Sequence, residues 1–132
     1  MIQTIEQTEI ILFVKDQNKA AGFYERILGI QPSLHVPGMT EFRLSSNCLL
    51  GLMPQSGISR LLQLNLTAEE NSSAFPKCEL YLLVKDAAAA IDHAISCGAS
   101  LVSAVQARDW GDLAGYLKDP DGNIIAFASK NN

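Results

Sequence analysis

The stretch Glu9-Ile-Ile-Leu-Phe-Val-Lys-Asp16 decides the fold, because a second copy begins 70 residues later as Glu79-Leu-Tyr-Leu-Leu-Val-Lys-Asp86. Five of the eight residues are identical in register, and the other three pairs are apolar in both copies. Each copy ends at an aspartate and is followed by a segment with helical spacing and then by a glycine. We therefore predict an internal duplication, and a repeat is the feature to settle before any single element.

The segment that follows each aspartate is predicted to form a helix. Asp16 and Asp86 each stand where a helix N-cap accepts hydrogen bonds from the first turn. Apolar residues then recur at helical spacing until Gly29 and Gly98, which suit the left-handed conformation that ends a helix. The predicted helices cover residues 17–28 and 87–97. Each repeat therefore begins with a strand, a helix and a glycine stop.

Three further short strands are predicted in each half, because turn-forming residues divide the chain. Pro37-Gly38 and Ser46-Asn47 separate strands in the first half, and Asp119-Pro-Asp-Gly122 separates the last two strands of the second half. The predicted strands are residues 8–15, 31–36, 40–45 and 48–53, and then 77–85, 100–106, 113–118 and 123–129. The predicted fold is therefore of the α+β class, with one βαβββ module in about residues 1–54 and a second in residues 77–132.

The stretch between the two modules, residues 55–76, is predicted to be a linker. Gln55-Ser-Gly57 is typical of a loop. Residues 61–66 alternate apolar and polar side chains, as an edge strand or an arm on a partner subunit does. The sequence leaves both interpretations of residues 61–66 open.

Length and charge limit the partners of the chain. It has 132 residues, of which 48% are apolar and 18% charged, and its formal net charge is −4. An acidic chain is not expected to bind nucleic acid or an anionic membrane surface. No apolar run approaches the length that spans a bilayer, and the start lacks a basic and apolar leader. The three cysteines form no Cys-x-x-Cys pair, so no disulfide framework or thiolate zinc site is indicated. We expect a single-domain cytoplasmic protein.

Two segments of the chain resemble a known superfamily. Trp110-Gly-Asp-Leu-Ala-Gly-Tyr-Leu-Lys-Asp-Pro-Asp-Gly-Asn123 is similar to its closing segment, and Val14-Lys-Asp16, followed by Phe23-Tyr24 and Leu28-Gly29, is similar to its opening. With the paired βαβββ modules, these motifs resemble the vicinal-oxygen-chelate superfamily, which includes glyoxalase I, bleomycin resistance proteins and extradiol dioxygenases. The resemblance implies that the two modules curl one sheet into a cup with the helices on its outer face. It also implies a symmetric homodimer.

The resemblance further implies four places for the ligands of a divalent metal, on strands one, four, five and eight. In this chain those places hold Glu9, Gly51, Glu79 and Ala126. Glycine and alanine side chains have no metal-binding atom, and no histidine stands at any of the four places, since His35 and His93 lie elsewhere. We therefore expect a cup without the usual metal. If Ni²⁺, Zn²⁺, Mn²⁺ or Fe²⁺ is bound, Glu9 and Glu79 are its expected ligands.

Alternation along the strands predicts which side chains line the cup, since neighbours in a strand point to opposite faces. Glu9 and Glu79 then share the inner face with apolar residues. Two acids that face each other repel, so that one keeps its proton or a cation lies between them. The alternative is that both lie at strand starts in water. Beyond the two acids, the predicted pocket residues are Phe13, Phe42, Leu44, Tyr81, Arg108 and Trp110.

Three functions are compatible with these patterns, and the sequence leaves open whether the protein is an enzyme. The first, which we favour, is a bleomycin-resistance-like protein that binds an apolar or cationic small molecule without a metal. The second is a divalent-metal-dependent lyase, isomerase or dioxygenase of the lactoylglutathione-lyase type that uses Glu9 and Glu79. The third is a metal-free enzyme in which Glu79 or Glu9 is the general base, its pKa raised by the neighbouring acid and the apolar wall.

Overall fold

The computed structural model describes residues 3–62 and 76–131 of the chain. The strands of the first half are β1 (Gln7–Val14), β2 (Leu34–Val36), β3 (Met39–Ser45) and β4 (Cys48–Pro54). Those of the second half are β5 (Cys78–Leu83), β6 (Ser100–Ala107), β7 (Asp112–Lys118) and β8 (Ile124–Lys130). The described helices are α1 (Gln17–Leu28), α2 (Gln55–Leu62) and α3 (Ala87–Ser96). Every strand and helix predicted from the sequence is present, with ends within three residues of the prediction.

The eight strands form one continuous sheet in the order β2-β3-β4-β1-β5-β8-β7-β6. β1 runs parallel to β4, and β5 runs parallel to β8, so the two halves have the same strand pattern. The halves join where β1 and β5 pair antiparallel in the middle of the sheet. The predicted α+β fold with two βαβββ halves is confirmed. None of the described helices is long and apolar enough to cross a membrane.

The pairing of β1 with β5 has the symmetry of the sequence repeat. Ile10 lies opposite Leu80, which is its equivalent in the second copy. Each of the two pairs next to this central pair becomes the other pair when every residue is replaced by its equivalent in the other copy. These two flanking pairs are Glu9 with Tyr81 and Ile11 with Glu79. A local two-fold axis therefore passes between Ile10 and Leu80.

Both predicted helix caps are present. The Asp16 carboxylate accepts a hydrogen bond of 3.0 Å from the backbone N–H of Lys19, and Asp86 accepts an equivalent bond of 3.0 Å from Ala89. An N-cap bond of this kind typically stabilises a helix by about 1 kcal/mol. At the end of α1, Gly29 has a φ of 68° and donates its N–H to a carbonyl of the last turn. The repeated stretch therefore specifies the same local structure twice.

The two faces of the sheet carry separate apolar clusters. On the outer face, α1 covers a cluster that contains Phe42 and Leu52. α3 lies on the same face, because a β-carbon added at Gly115 would meet its Ile91, while both neighbours of Gly115 point into the inner cluster. The inner cluster draws on both halves of the chain and includes Ile11, Phe13, Met53, Tyr81, Tyr116 and Ala126. The position predicted for the helices, on the outer face, therefore holds for α1 and α3.

α2 corrects the prediction of a linker loop. Gln55-Ser-Gly57, predicted to be a loop, forms its first turn, and residues 61–62, for which a strand was one interpretation, form its end. Ile58 is completely buried in the inner cluster, and Leu61 packs against the same cluster. These two apolar residues are three positions apart and therefore share one helix face, which covers the cup. Residues 63–66, the rest of the predicted arm, lie outside the described residues.

Candidate functional site

A cleft of about 600 Å³ opens beside α2 at the mouth of the cup. One side is formed by the turn between β2 and β3, and the opposite side by β6 and the loop that follows it. Since β2 and β6 are the two edge strands of the sheet, their approach to one cleft shows that the sheet is curled. The lining side chains include Met53, Arg60, Leu61, Val102, Arg108 and Trp110. The predicted cup is confirmed, with α2 lying inside it.

Trp110, the single tryptophan of the chain, is held in a fixed orientation on the cleft wall. Its indole N–H donates a hydrogen bond of 2.8 Å to the Tyr81 hydroxyl. That hydroxyl donates a bond of 2.6 Å to the Asp112 carboxylate, which also accepts a bond of 3.3 Å from Lys130. Burial and the Asp112 charge raise the pKa of Tyr81 far above its usual value. The phenol therefore stays protonated and keeps its bond to Asp112.

Arg108 is the second fixed group on the cleft wall. Its Nε and Nη2 groups donate bonds of 3.1 and 2.9 Å to the backbone carbonyl of Ala114. Nη2 also donates a bond of 3.0 Å to the Ser103 hydroxyl. The guanidinium carbon lies 5.1 Å from the centre of the Tyr116 ring, at which distance a cation is attracted to an aromatic face. These contacts hold the guanidinium group of Arg108 in one orientation.

Glu9 and Glu79 are buried in the interior of the cup, each with 2% of its surface exposed. The interpretation that both lie in water is therefore wrong. Among the described residues, no hydrogen-bond partner is present for one oxygen of Glu9, for either oxygen of Glu79 or for the hydroxyl of Tyr116. Unpaired buried polar atoms are uncommon in proteins and mark sites that warrant a functional explanation.

Burial raises the pKa of both interior acids. The pKa of Glu79 rises to about 8, although the nearby charge of Arg108 opposes the shift. The pKa of Glu9 is also raised, first by burial and then by a hydrogen bond with Glu41 and the charges of Glu41, Glu79 and Asp112. Burial therefore favours the protonated form of both acids, and for Glu79 this effect rather than repulsion from Glu9 is the cause.

Two of the six predicted pocket residues, Arg108 and Trp110, line the cleft. Phe13 and Tyr81 lie in the inner cluster beneath it. The prediction for Phe42 is wrong, because this ring packs on the outer face under α1.

Leu44 was also predicted in the pocket, but it is 47% exposed near the end of β3 and belongs to neither apolar cluster. Phe42 and Leu44, which alternate with Glu41 and Arg43 in the sequence, were predicted to form the wall or rim of the cup. In the structure, Met39 belongs to the inner cluster. The alternation of the strand then directs Glu41 to the acids of the cup and Phe42 to the helix.

The contribution of α2 to the cleft was not predicted from the sequence. Arg60 and Leu61 both border it, and neither was singled out. The spacing of Ile58 and Leu61 was the available signal, since an interval of three is helical rather than strand-like. Tyr116 was also missed, although it alternates with Ala114 on β7 and both lie in the inner cluster.

The two histidines lie away from the buried acids. His35 is close to the Thr40 hydroxyl, at 2.7 Å, and to the side chain of Asn18, at 3.1 Å. His93 on α3 lies 3.8 Å from the sulfur of Cys97. Both are occupied by ordinary local contacts.

Comparison with known proteins identifies the family. The family described as Glyoxalase/Bleomycin resistance protein/Dioxygenase superfamily matches residues 4–127, so the chain belongs to this superfamily. No curated protein matches the sequence significantly. The similar solved structures agree on the fold, and their identities of 14–20% carry no more than that.

Three of these structures cover nearly the whole chain. A structure described as an NAD-dependent benzaldehyde dehydrogenase from Legionella pneumophila has a TM-score of 0.68 and 20% identity, over 94% of this chain and 99% of that one. Methylmalonyl-CoA epimerase from Streptomyces coelicolor, in complex with 2-nitronate-propionyl-CoA, has a TM-score of 0.68 and 14% identity, over 99% and 100%. The epimerase from Mycobacterium tuberculosis has a TM-score of 0.62 and 19% identity, over 100% and 94%.

The residues present do not fit the divalent metal that is common in this superfamily. Gly51 lies opposite Ile11, and Ala126 opposite Tyr81, so the two are equivalent positions of the repeat. A β-carbon added at Gly51 would collide with the carboxyl group of Glu9, which already fills the space above the glycine. Within the described residues, no three side chains of His, Cys, Asp or Glu are placed to hold a metal ion. Two carboxyl groups fall short of the usual set of about four ligands.

Proposed function

We propose that the protein binds a small molecule in the cleft beside α2, without the divalent metal common in its superfamily. The observation that carries this proposal is the cleft itself, which places one immobilised aromatic ring and one immobilised cation on the same wall. Its volume of about 600 Å³ lies within the range of small-ligand sites in proteins. Groups held rigid before binding lose little conformational entropy when a ligand arrives.

Trp110 allows a direct test, because the intrinsic fluorescence of the protein comes from a side chain of the cleft wall. We would screen small organic compounds for a change in tryptophan emission together with a rise in melting temperature, since a ligand of the folded state must stabilise it. The control is the double variant Trp110→Phe with Phe23→Trp, which moves the tryptophan to an exposed position on α1. A true cleft ligand changes the emission of the natural protein and leaves that of the control unchanged. Compounds that raise the melting temperature but never affect Trp110 would contradict the proposal.

The metal-free part of the proposal needs its own measurement. Elemental analysis after expression with added Ni²⁺, Zn²⁺, Mn²⁺ or Fe²⁺ is expected to find less than about a tenth of an equivalent of any metal, because two ligands hold a divalent ion weakly. About one equivalent of a single metal, lost in Glu9→Ala and Glu79→Ala, would instead support the alternative of a metal-dependent lyase, isomerase or dioxygenase.

A second candidate function is metal-free proton transfer by Glu79. The observation that favours it is a buried carboxyl group with two unpaired oxygens and a pKa of about 8, near the value that suits a general acid or base at neutral pH. Glu79 does not border the cleft, so this function requires a ligand that reaches past Arg108, whose charge acts on Glu79, into the interior of the cup.

The test for proton transfer is hydrogen–deuterium exchange at an acidic C–H group of any cleft ligand, followed by NMR in D₂O. We expect Glu79→Gln to abolish exchange while binding persists, because glutamine keeps the shape of the side chain and cannot carry the proton. Exchange that continues unchanged in Glu79→Gln would exclude this role.

The homodimer and the cytoplasmic location expected from the sequence remain proposals. Light scattering at micromolar concentration tests the first, and an apparent mass of about twice the chain is expected for a closed two-fold dimer.

A further inference from the structure

We infer that the ligand of the cleft is a small anion with a flat conjugated part, of which an aryl carboxylate is the simplest form. This inference rests on the proposed binding function and adds the chemical class of the ligand. It differs from the apolar or cationic ligand expected from the sequence.

The charge on the described cleft wall is positive, which favours an anionic ligand. Among the described lining residues, the charged side chains are Arg60, Arg108 and Asp109, so cations outnumber anions. The chain as a whole has a net charge of −4, which is opposite in sign to the sum of these three charges. The acids that led the sequence analysis to expect a cation, Glu9 and Glu79, are buried and do not border the cleft.

Both cations of the described cleft lining are arginines. Guanidinium groups are planar and bind carboxylates through two parallel hydrogen bonds, which adds geometry to charge. The bonds that hold Arg108 use Nε and Nη2, and its Nη1 group donates none to a described residue. Arg60 is exposed in the last turn of α2. The cleft therefore contains one rigid and one adaptable guanidinium.

Trp110 supplies an aromatic ring to the cleft wall. Its only donor, the indole N–H, is committed to Tyr81, so the ring offers the cleft an aromatic surface rather than a hydrogen bond. A flat conjugated ligand gains from offset stacking on such a ring beyond the area that it buries. Met53, Leu61 and Val102 are also apolar lining residues of the cleft. A cleft of about 600 Å³ accommodates a ligand of one or two rings.

The experiment is a titration of matched compounds by isothermal calorimetry. The series is 2-naphthoate, its neutral amide, the corresponding naphthylmethylammonium and cyclohexanecarboxylate, which together separate charge from flatness. We expect 2-naphthoate to bind at least about tenfold more tightly than each of the others, because a charge-assisted bond or a stacked ring is commonly worth that factor. A change in Trp110 emission when the compound binds shows that binding occurs in the cleft.

Variants of arginine provide the matched control. Arg60→Gln is expected to weaken binding of 2-naphthoate about tenfold and to leave binding of the amide unchanged. Arg60→Lys keeps the positive charge but loses the planar guanidinium group. Its affinity for 2-naphthoate is expected to lie between those of the natural protein and Arg60→Gln. Arg26→Gln is the control, because Arg26 is the basic residue in the last turn of α1 and does not border the cleft. Circular dichroism and the melting temperature verify that each variant is folded.

The outcomes separate this inference from the proposed function. Equal or tighter binding of the amide or the ammonium compound, with a response of Trp110, would leave the cleft as a binding site and overturn the anionic ligand. Equal loss of binding in Arg60→Gln and Arg26→Gln would also overturn it, since the effect would not be local. Absence of binding by the whole series would overturn this inference, and the broader fluorescence screen would then decide the proposed function independently.

Discussion

At the scale of single residues, the interior of the cup is defined by acids whose environment suppresses their charge. Glu79 has 2% of its surface exposed and none of the described residues bonds its oxygens. A charged carboxylate in such a place is strongly disfavoured, so the group responds by holding its proton. Burial of an unpaired carboxyl group therefore favours the protonated form of Glu79.

The first prediction concerns the pH dependence of stability. Burial raises the pKa of Glu79 to about 8, whereas an unfolded glutamate titrates near about 4.3. The contribution of Glu79 to the free energy of unfolding is therefore fully present below the pKa of the unfolded state. As the pH rises toward 8, only the unfolded state ionises, so the free energy of unfolding falls. Between about pH 5 and pH 8 we expect the natural protein to lose on the order of 3 kcal/mol more than Glu79→Gln in urea denaturation.

Glu6→Gln is the control for this experiment, since Glu6 is exposed near the start of β1. It is expected to retain the slope of the natural protein. An identical slope in Glu79→Gln would show that Glu79 ionises normally and is in contact with water.

The second prediction concerns the glycine beneath Glu9. In Gly51→Ala the new β-carbon would collide with the Glu9 carboxyl group and approach Ile11 Cγ1 to 2.9 Å. Overpacking of this kind is expected to lower the free energy of unfolding by roughly 1–3 kcal/mol. In Gly57→Ala, within α2, the nearest atom is 3.6 Å away, and helix propensity predicts a gain of about 0.5–1 kcal/mol. Urea denaturation measures the free energy of unfolding of both variants. A loss in Gly51→Ala with a gain in Gly57→Ala would support the close approach of Glu9 to Gly51, and a gain in both would refute it.

At the scale of secondary-structure elements, α2 determines what the cup contains. It contacts β1, β4 and β6, which are strands of both halves, and it forms one border of the cleft. Its described part, Gln55–Leu62, has eight residues, and a helical segment of this length is marginal without tertiary contacts. Its presence therefore depends on the burial of Ile58 in the inner cluster.

The third prediction tests this dependence. Ile58→Ala removes a completely buried side chain and is expected to lower the free energy of unfolding by about 2–5 kcal/mol. Ile95→Ala is the matched control, because Ile95 also lies in a helix but is 42% exposed, and its loss is expected to stay below about 1 kcal/mol. Urea denaturation followed by circular dichroism measures both. Similar small losses in the two variants would mean that α2 does not pack in the cup.

At the scale of the whole molecule, the two repeats share their interior. The sheet is continuous through β1 and β5, and the inner cluster includes side chains from both halves, such as Met53 and Tyr116. Elements that bury each other's apolar surface unfold together in small domains. We therefore expect one cooperative unit rather than two independent modules.

The fourth prediction uses Trp110, in the second half, to report on a change in the first half. Ile11→Val, within the inner cluster, is expected to lower the free energy of unfolding by about 0.5–1.5 kcal/mol. The urea midpoints from Trp110 fluorescence and from circular dichroism should shift together. Ile30→Val, at a position that is 38% exposed, should move neither. A shift in circular dichroism without a shift in fluorescence would show that the halves unfold separately.

The features that could be predicted from the sequence are those specified by local chemistry. The aspartate caps, the glycine stops and the turns act within a few residues. Because the sequence is repeated, the strands and helix predicted for one half could also be predicted for the other. Trp110, which lines the cleft, could be predicted as a pocket residue because it begins a segment that resembles a known family motif. Each of these signals is contained in a short segment of chain.

The features that could not be predicted depend on partners distant in sequence. α2 forms because Ile58 packs into the inner cluster. The other residues of this cluster lie largely on strands that precede or follow α2 in the sequence. The face of Phe42 was assigned wrongly because its strand has apolar residues on both faces, and only packing against α1 distinguishes them. The burial of Glu9 and Glu79 likewise depends on the curvature of the whole sheet.

The local two-fold axis at Ile10 and Leu80 also bears on how such a chain could arise. Two separate copies of one βαβββ unit would join through the same pair of strands, in the same register, as a dimer of half-length chains. Duplication and fusion of the gene would turn that subunit interface into the centre of a single sheet without altering its hydrogen bonds. Glu9 and Glu79 would then descend from one ancestral codon, and their meeting in the interior would be the trace of an encounter between two identical molecules.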